Sequence, residues 1–417
     1  MAVGCIVAAA CASGSPSAVT PPDSTSPPGA APPDTAPAGM LSIDCTADNV
    51  KCPALAIAAD APDNSLFRGY ADPSLRRDPV SGRLWLAYSW PHGIVRTSPP
   101  SSTQVLDIHV AHSDDSGGSW HYDRAIWTAQ PVTSASDGGG GGATYYSSHE
   151  VSNIYPLESG GHVTWIGIHK YYTVQEGGNP ISDWQHFVSS SMLVLATASD
   201  PTGLGAGPTL RIGAAASTDS VDVVLTRLSP ELASCAQLSE PALTSAGGRL
   251  YLALTCVPQN GPTPLYGMSF YALFSTDASG APSTWTWKYE GKLTTPAQAQ
   301  QLDGHQFLWE LDFARKSDGA LLALVTPSNV IPGGLANDGC RVLQVASLSP
   351  PALAPGNTGG FRELATITAS DLVPPGGGNA CTYDPASTTG IIVFRYAYQQ
   401  PGTQGVLTTI NATGLRP

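Results

Sequence analysis

One unit recurs along this chain: a polar or acidic residue, a short apolar strand, a Gly-containing turn, and a second, strongly apolar strand. It runs from Tyr70 to Ser89, His149 to Gly167, Leu238 to Leu254, Trp309 to Val325 and Asn379 to Tyr396. A further strand pair is readable after most units. Val105–His112 precedes His121–Trp127, Met192–Asp200 leads into a Gly-rich turn, Tyr271–Asp277 leads through Gly280 to Trp285, and Val342–Leu348 precedes Phe361–Ile367. After the fifth unit only Gly405–Ala412 remains. The alternation of apolar and polar residues marks half-buried strands. Four strands repeated about five times, at spacings of about 70 to 90 residues, bury both faces only by stacking on their neighbours, the pattern of a β-propeller. The expected fold is therefore all-β, a single propeller over residues 41–417 with five four-stranded blades. Six remain open, because Val221–Leu228 reads as an extra strand. The last blade is short of an outer strand, and Leu55–Ala59 is expected to close the ring there.

Composition supports a turn-rich β protein. Only 12% of the 417 residues are charged, whereas Gly (44) and Pro (37) are plentiful. The formal net charge of −13 and the lack of a Lys/Arg cluster argue against a nucleic-acid partner. No apolar run is long enough to span a membrane.

Within the first repeat, Ser113-Asp-Asp-Ser-Gly-Gly-Ser-Trp120 fits S-x-D-x-G-x-x-W at Ser113, Asp115, Gly117 and Trp120. The physical logic is a tight hairpin: Asp115 bonds backbone N–H groups of its own turn, Gly117 takes positive φ, and Trp120 folds back onto an apolar layer. The segment resembles the Asp-box (BNR repeat) of sialidase-like propellers. That resemblance places it between outer strands, opposite the mouth of the channel, in a structural role.

The repeat puts Asp72, Glu150, Glu240 and Glu310 at matching positions where four innermost strands begin, with Asn379 in the fifth. Carboxylates so placed converge on the axial mouth, where neighbouring charge and low-dielectric walls separate acid from base. Glycoside hydrolysis needs two carboxylates flanking the scissile bond. Ala71-Asp72-Pro73 and Glu240-Pro241 resemble motifs of five-bladed glycoside hydrolases, the arabinanase/xylosidase and invertase-like families. The resemblance implies Asp72 as general base or nucleophile and Glu240 as general acid. The second-blade Asp of those families has no match, and Glu150 is the nearest substitute. Sialidases carry an Arg where this chain has Ala71, and Arg68 is out of register, which argues against sialidase activity.

Glu310, Trp309, Tyr146, Trp184, His149 and Arg68 are the candidate substrate-binding residues. Trp90, Tyr146, Trp184 and Trp309 suit stacking on sugar rings, although core packing is the commoner role of such aromatics. Gly138–Gly142 precedes Tyr146 on a mouth loop. No metal motif and no cofactor are expected; a structural calcium on the axis is left open by the scattered His149, His169, His186 and His305.

The N-terminus differs from the rest. Met1–Ala12 is apolar, and Ala8-Ala-Ala-Cys11 resembles a lipobox, although there is no basic n-region and the apolar run is short. The reading is a lipoprotein-type signal over 1–11 with the anchor on Cys11, then a Ser/Pro/Ala-rich disordered tether over 12–40. Six cysteines remain beyond Cys5 and Cys11. In an exported chain they suggest disulfides, preferentially Cys45–Cys52, Cys235–Cys256 and, by subtraction, Cys340–Cys381.

The expectation is an exported, monomeric, cell-surface, periplasmic or secreted propeller that hydrolyses a glycan or polysaccharide and meets the membrane only through its lipid anchor. The alternative is a non-catalytic propeller that binds glycan or protein. A polysaccharide lyase using Tyr146 and His149 is the third reading.

Overall fold

The computed structural model describes residues 40–46, 51–97, 100–132, 144–159, 161–178, 187, 189–217, 221–260, 263–331, 334–356, 360–369, 380–397 and 406–417. The proposed signal and tether, with Cys5 and Cys11, lie outside them, as do Trp184, His186, Asn379 and Gly138–Gly142.

The described residues form five small sheets in a propeller arrangement. Blade I holds Ala71–Arg77, Leu84–Thr97, Pro100–Ser113 and Trp120–Trp127 from axis to rim. Blade II holds Tyr145–Ser159, His162–Gln175, Met192–Ala198 and Thr209–Gly213. Blade III holds Cys235–Ala246, Arg249–Asn260, Phe270–Thr276 and Lys288–Thr294. Blade IV holds Phe307–Arg315, Leu321–Ile331, Cys340–Leu348 and Glu363–Thr368. Blade V holds Cys381–Thr382, Ile392–Ala397 and Val406–Ala412, completed by Phe67–Gly69. Blades III and IV are joined by a helix, Pro296–Asp303, capped by Thr295 and ended by Gly304 at φ 83°.

Five apolar clusters fill the five seams and close the ring. Trp85, Ile108 and Val110 meet Ile154 and Trp165 between blades I and II. Ile168 and Leu195 meet Leu243 and Leu252 between II and III. Leu273 meets Leu311 and Phe313 between III and IV. Leu324 and Val342 meet Ile391 and Val393 between IV and V. Phe394 and Ile410 meet Leu75 and Tyr88 between V and I. Each fully buried large side chain contributes about 1.5–3 kcal/mol. The three disulfides pair as expected, and Cys340–Cys381 ties blade IV to the inner strand of blade V.

Two expectations are corrected. Val221–Leu228 is no blade strand: Val223–Val224 adds briefly to the edge of blade II, and Leu225–Leu228 is a 3-10 turn. Two Gly-free β residues are too few for a strand of a further sheet. The ring is closed by Phe67–Gly69, which runs parallel to Val406–Thr408, rather than by Leu55–Ala59. Gly69 (φ 116°) makes this possible, because a Cβ there would lie 2.0 Å from the Thr408 carbonyl oxygen. The expected segment does touch blade V, since Leu55 N–H donates to the Ile410 carbonyl at 2.8 Å. Ile57–Ala58 then turns to blade I and pairs with Trp120–His121.

The hairpin at Ser113–Trp120 has the geometry expected of it. Ser119 N–H donates to Asp115 Oδ1 at 2.8 Å, Gly117 N–H donates to Ser113 Oγ at 2.8 Å, and Gly117 has φ 95°. Trp120 is buried. These hydrogen bonds hold the Asp115 carboxyl down at about 2. The turn lies at the end of blade I remote from Asp72.

The inner strands are locked to one another by a buried polar network. Arg76 Nη1 donates to Asp312 Oδ2 at 2.9 Å, and a second Arg76–Asp312 contact makes the pair bidentate. Asn153 Nδ2 donates to Asp312 Oδ1 at 2.8 Å, and Thr382 Oγ1 donates to Asp312 Oδ2 at 2.6 Å. Asn153 Oδ1 in turn accepts from Leu243 N–H at 3.0 Å. One carboxylate thus draws all five blades together across the axis.

Removing Asp312 strands a buried guanidinium, so Asp312→Ala is expected to cost about 3–5 kcal/mol in chemical denaturation. Arg83→Ala, which breaks the surface pair with Asp114, should leave the unfolding midpoint unchanged.

Candidate active site

Each inner strand carries, or in blade V is directly preceded by, one residue in the left-handed region: Asp72 (φ 49°), Val151 (50°), Glu240 (50°), Glu310 (50°) and Ala380 (47°). In blades I to IV a break in register with the second strand accompanies it. The extra residue of such a bulge re-aims a side chain. A neighbouring blade supports the conformation in two cases: Val151 N–H donates to Ser89 Oγ at 3.0 Å, and Ala380 N–H donates to Thr326 Oγ1 at 3.1 Å. The ring therefore has five equivalent seats around the axis, and carboxylates occupy those of blades I, III and IV.

This moves two expected equivalences by one residue. The seat in blade II is Val151, not Glu150, and in blade V it is Ala380, not Asn379. Alignment on acidic residues misled, because the bulge follows the backbone and not the charge. The signal lay further on: the third residue after the seat is large and apolar in every blade, at Leu75, Ile154, Leu243, Phe313 and Tyr383.

Glu150 is nonetheless fully buried, and its Oε1 lies 3.4 Å from Lys170 Nζ on the paired strand. Tyr172 Oη donates to Glu150 Oε2 at 3.3 Å. Lys170 Nζ also lies 4.4 Å from the centre of the Phe187 ring, a cation–π contact. Lys170 was not anticipated from the sequence, where nothing marks its cross-strand partner.

Asp72, Glu240 and Glu310 are at most 3% exposed. Burial, followed by the charges of Glu150 and Glu240, raises the Asp72 carboxyl to about 7, against a hydrogen bond from Ser89. Burial likewise raises Glu240, partly offset by Lys170. Glu310 is pushed well above the usual carboxylate range by burial and by Glu240, Asp72 and Glu150. Glu240 Oε1 accepts from Ser239 Oγ at 2.9 Å. Glu240 Oε2 and Asp72 Oδ1 are buried without a hydrogen-bond partner. Tyr271, fully buried in the seam between blades III and IV, is held protonated by burial and by Glu240 and Glu310.

Beneath the seats is a cavity of about 20 Å³, lined among others by Asp72, Ser152, Glu310 and Asp312. It is the size of a bound water and far smaller than a sugar, so it forms the floor of the mouth. Ser152 Oγ, also without a partner, faces this floor region.

The other candidates are dispersed. Trp309 is 1% exposed and packs with Tyr266, Phe307 and Leu335, so it is a core residue and has no face for a sugar. Arg68 lies on the outermost strand of blade V, where its Nη1 donates to the Ser65 carbonyl at 2.9 Å. It is thereby removed from the axis. His149 is buried with Nδ1 2.9 Å from His169 Nε2, and burial lowers it to about 4. A neutral, enclosed imidazole of this kind packs a seam rather than meeting a ligand. Tyr146 is buried on the extended part of its strand, opposite Pro131 and Val174. Trp90 is half-buried, with one ring face stacked on His109 at 4.7 Å. No group of three metal-ligating side chains occurs among the described residues.

No family model and no curated protein matches the chain. Among solved structures it is similar to an arabinanase from Bacillus subtilis, with 12% identity, a TM-score of 0.41, and 84% of this chain and 95% of that one covered. It is also similar to an exo-1,5-α-L-arabinanase from a bovine ruminal metagenomic library (12%, 0.41, 83% and 94%). A third is the α-L-arabinanase of Cellvibrio cellulosa (11%, 0.42, 82% and 91%). No statement about chemistry follows from values this low.

Proposed function

We propose that this chain is a glycoside hydrolase whose reaction takes place at the axial mouth. The observation that carries this reading is the pair Asp72 and Glu240: two buried carboxylates on equivalent bulged seats of blades I and III, each with one unpartnered oxygen. Like charges facing each other across a low-dielectric axis do not all ionise together. Such a group can hold one carboxyl as acid while another acts as base or nucleophile. Asp72 takes the latter role and Glu240 donates the proton to the leaving oxygen. Glu150, held by Lys170, sets the local field. Ala71 in place of a clamping Arg speaks against sialic acid as substrate. The three disulfides fit an oxidising compartment, and with the lipobox-like Cys11 they support export as a lipid-anchored protein; that it is a monomer is part of the same proposal.

The second reading, a non-catalytic propeller that binds glycan or protein, is favoured by one observation. The ion pair with Lys170 leaves the axial end of blade II without a free carboxylate among the described residues.

Glu240→Gln and Asp72→Asn are each expected to lower kcat on a cleaved glycan by about 10³-fold while the protein stays folded. Full turnover in either variant sinks the assignment, and saturable binding without turnover by the wild type selects the second reading. The Asp72 shift also predicts a stability effect. The folded carboxyl titrates at about 7 and the unfolded one at 3.8, so its contribution is complete below 3.8 and is lost as pH rises through about 7. Asp72→Asn cannot ionise. Thermal unfolding should show it close to wild type at pH 4 and roughly 2–5 °C more stable at pH 8.

A further inference from the structure

Lys170 brings a positive charge to the axial carboxyls, and the scheme above gives it no step of its own. It is fully buried on the second strand of blade II, His162–Gln175. Its Nζ lies 3.4 Å from Glu150 Oε1, yet neither atom makes a hydrogen bond among the described residues. The other oxygen of Glu150 already accepts from Tyr172 Oη, a phenol kept protonated by burial and by Glu150. The rings of Phe187 at 4.4 Å and Tyr172 at 5.9 Å cage the ammonium. They favour its charge and leave its three N–H donors unplaced, which is costly for a buried group.

Those donors have a second acceptor close by. Glu240 belongs to the inner strand of blade III, Cys235–Ala246, which touches the Lys170 strand across the seam between the blades. Tyr172 and Phe187 pack with Ala236 there, so the aromatic cage reaches the start of the Glu240 strand. Burial raises the Glu240 carboxyl; the Lys170 charge acts against that, and the Glu150 charge adds to it. Glu240 Oε1 accepts from Ser239 Oγ, whereas Oε2 is buried with no donor among the described residues. Asp72, Glu310 and the Tyr271 phenol also act on or feel Glu240, and none of them supplies positive charge. A neutral Glu240 makes little demand on the ammonium. An ionised one attracts it strongly, because screening is weak in an enclosed site.

We propose that Lys170 is a positioning residue for Glu240: one ammonium shared by two carboxyls, resting against Glu150 while Glu240 is protonated and turning its free donors to Glu240 when that proton leaves. This rests on the reading of Glu240 as the general acid. In that step the proton passes from Glu240 to the glycosidic oxygen, which takes the electron pair of the breaking C–O bond, and Glu240 is left as a carboxylate. Lys170 stays an ammonium throughout and transfers no proton. Its flexible four-carbon stem allows the ammonium to turn between the two acceptors.

The test reads the Glu240 proton directly and needs no substrate. Infrared spectra of the full chain are titrated with pH, and each protein is paired with its Glu240→Gln counterpart, so that the difference isolates the Glu240 carboxyl band. Lys170 favours the ionised form, so in Lys170→Met the band should persist to a pH about one unit higher than in the wild type. Glu150→Gln removes a negative neighbour and frees the ammonium, so there the band should vanish at lower pH. A merely structural disturbance gives no such opposite pair. Both variants are confirmed folded by their thermal transitions, and if only one folds, the direction of its shift decides. An unmoved band in a folded variant, or a shift against the stated direction, overturns the proposal. Turnover is scored separately. The stated infrared shifts without cleavage of any glycan count against the hydrolase reading alone, and cleavage with an unmoved band counts against this inference alone.

Discussion

The Asp312 carboxylate is the constraint on which the rest of the ring depends. It sits where five inner strands approach one another and accepts from Arg76 of blade I, Asn153 of blade II and Thr382 of blade V. Asn153 passes the link to the backbone of blade III. Apolar seams between blades are non-directional and tolerate sliding, whereas a bidentate, charge-assisted pair does not. The network fixes the angular position of each inner strand, and so fixes where the seats, two to four residues earlier in the chain, point. A buried ion pair is weak evidence for stability. Its contribution here is geometric.

The seats follow from that rigidity. A non-glycine residue held at positive φ persists only where its surroundings over-determine it, and five inner strands hold one each. Two seats, Val151 and Ala380, carry no functional group, so the bulge belongs to the scaffold and the carboxylates are additions to it. The same scaffold explains why Glu150 behaves differently. One residue off the seat, it points to the paired strand and meets Lys170.

Much of the scaffold was legible in the sequence because its signals are local. The alternation in Val105–His112, the turn residues of Ser113–Trp120 and the Gly-marked hairpins of five repeats all report on neighbours in the chain. The disulfides were legible from position, because Cys235 and Cys256 bracket one strand pair. The candidate site was legible in part. Asp72, Glu240 and Glu310 stand on equivalent seats, but Val151 was hidden, because its bulge is stabilised by Ser89 of another blade. Arg76, Asn153, Asp312 and Thr382 were invisible as a unit, since their partners are far apart in sequence. Trp309 looked like a platform for sugar, yet nothing in its own neighbourhood announced that Tyr266 and Leu335 would cover it.

The described chain begins against blade IV, not at the strand that closes the ring. Leu41–Asp44 lies parallel to Ala365–Thr368 along the rim, and the Cys45–Cys52 bridge follows at once. Tension applied to residue 40 is directed along this strand, so its hydrogen bonds are loaded together in shear instead of being peeled apart in turn. A force that survives them meets a covalent loop next. Phe67–Gly69, the clasp that completes the circle, lies behind both and carries no load while that strand holds. The molecule can thus be held by its front end without its ring being pried open.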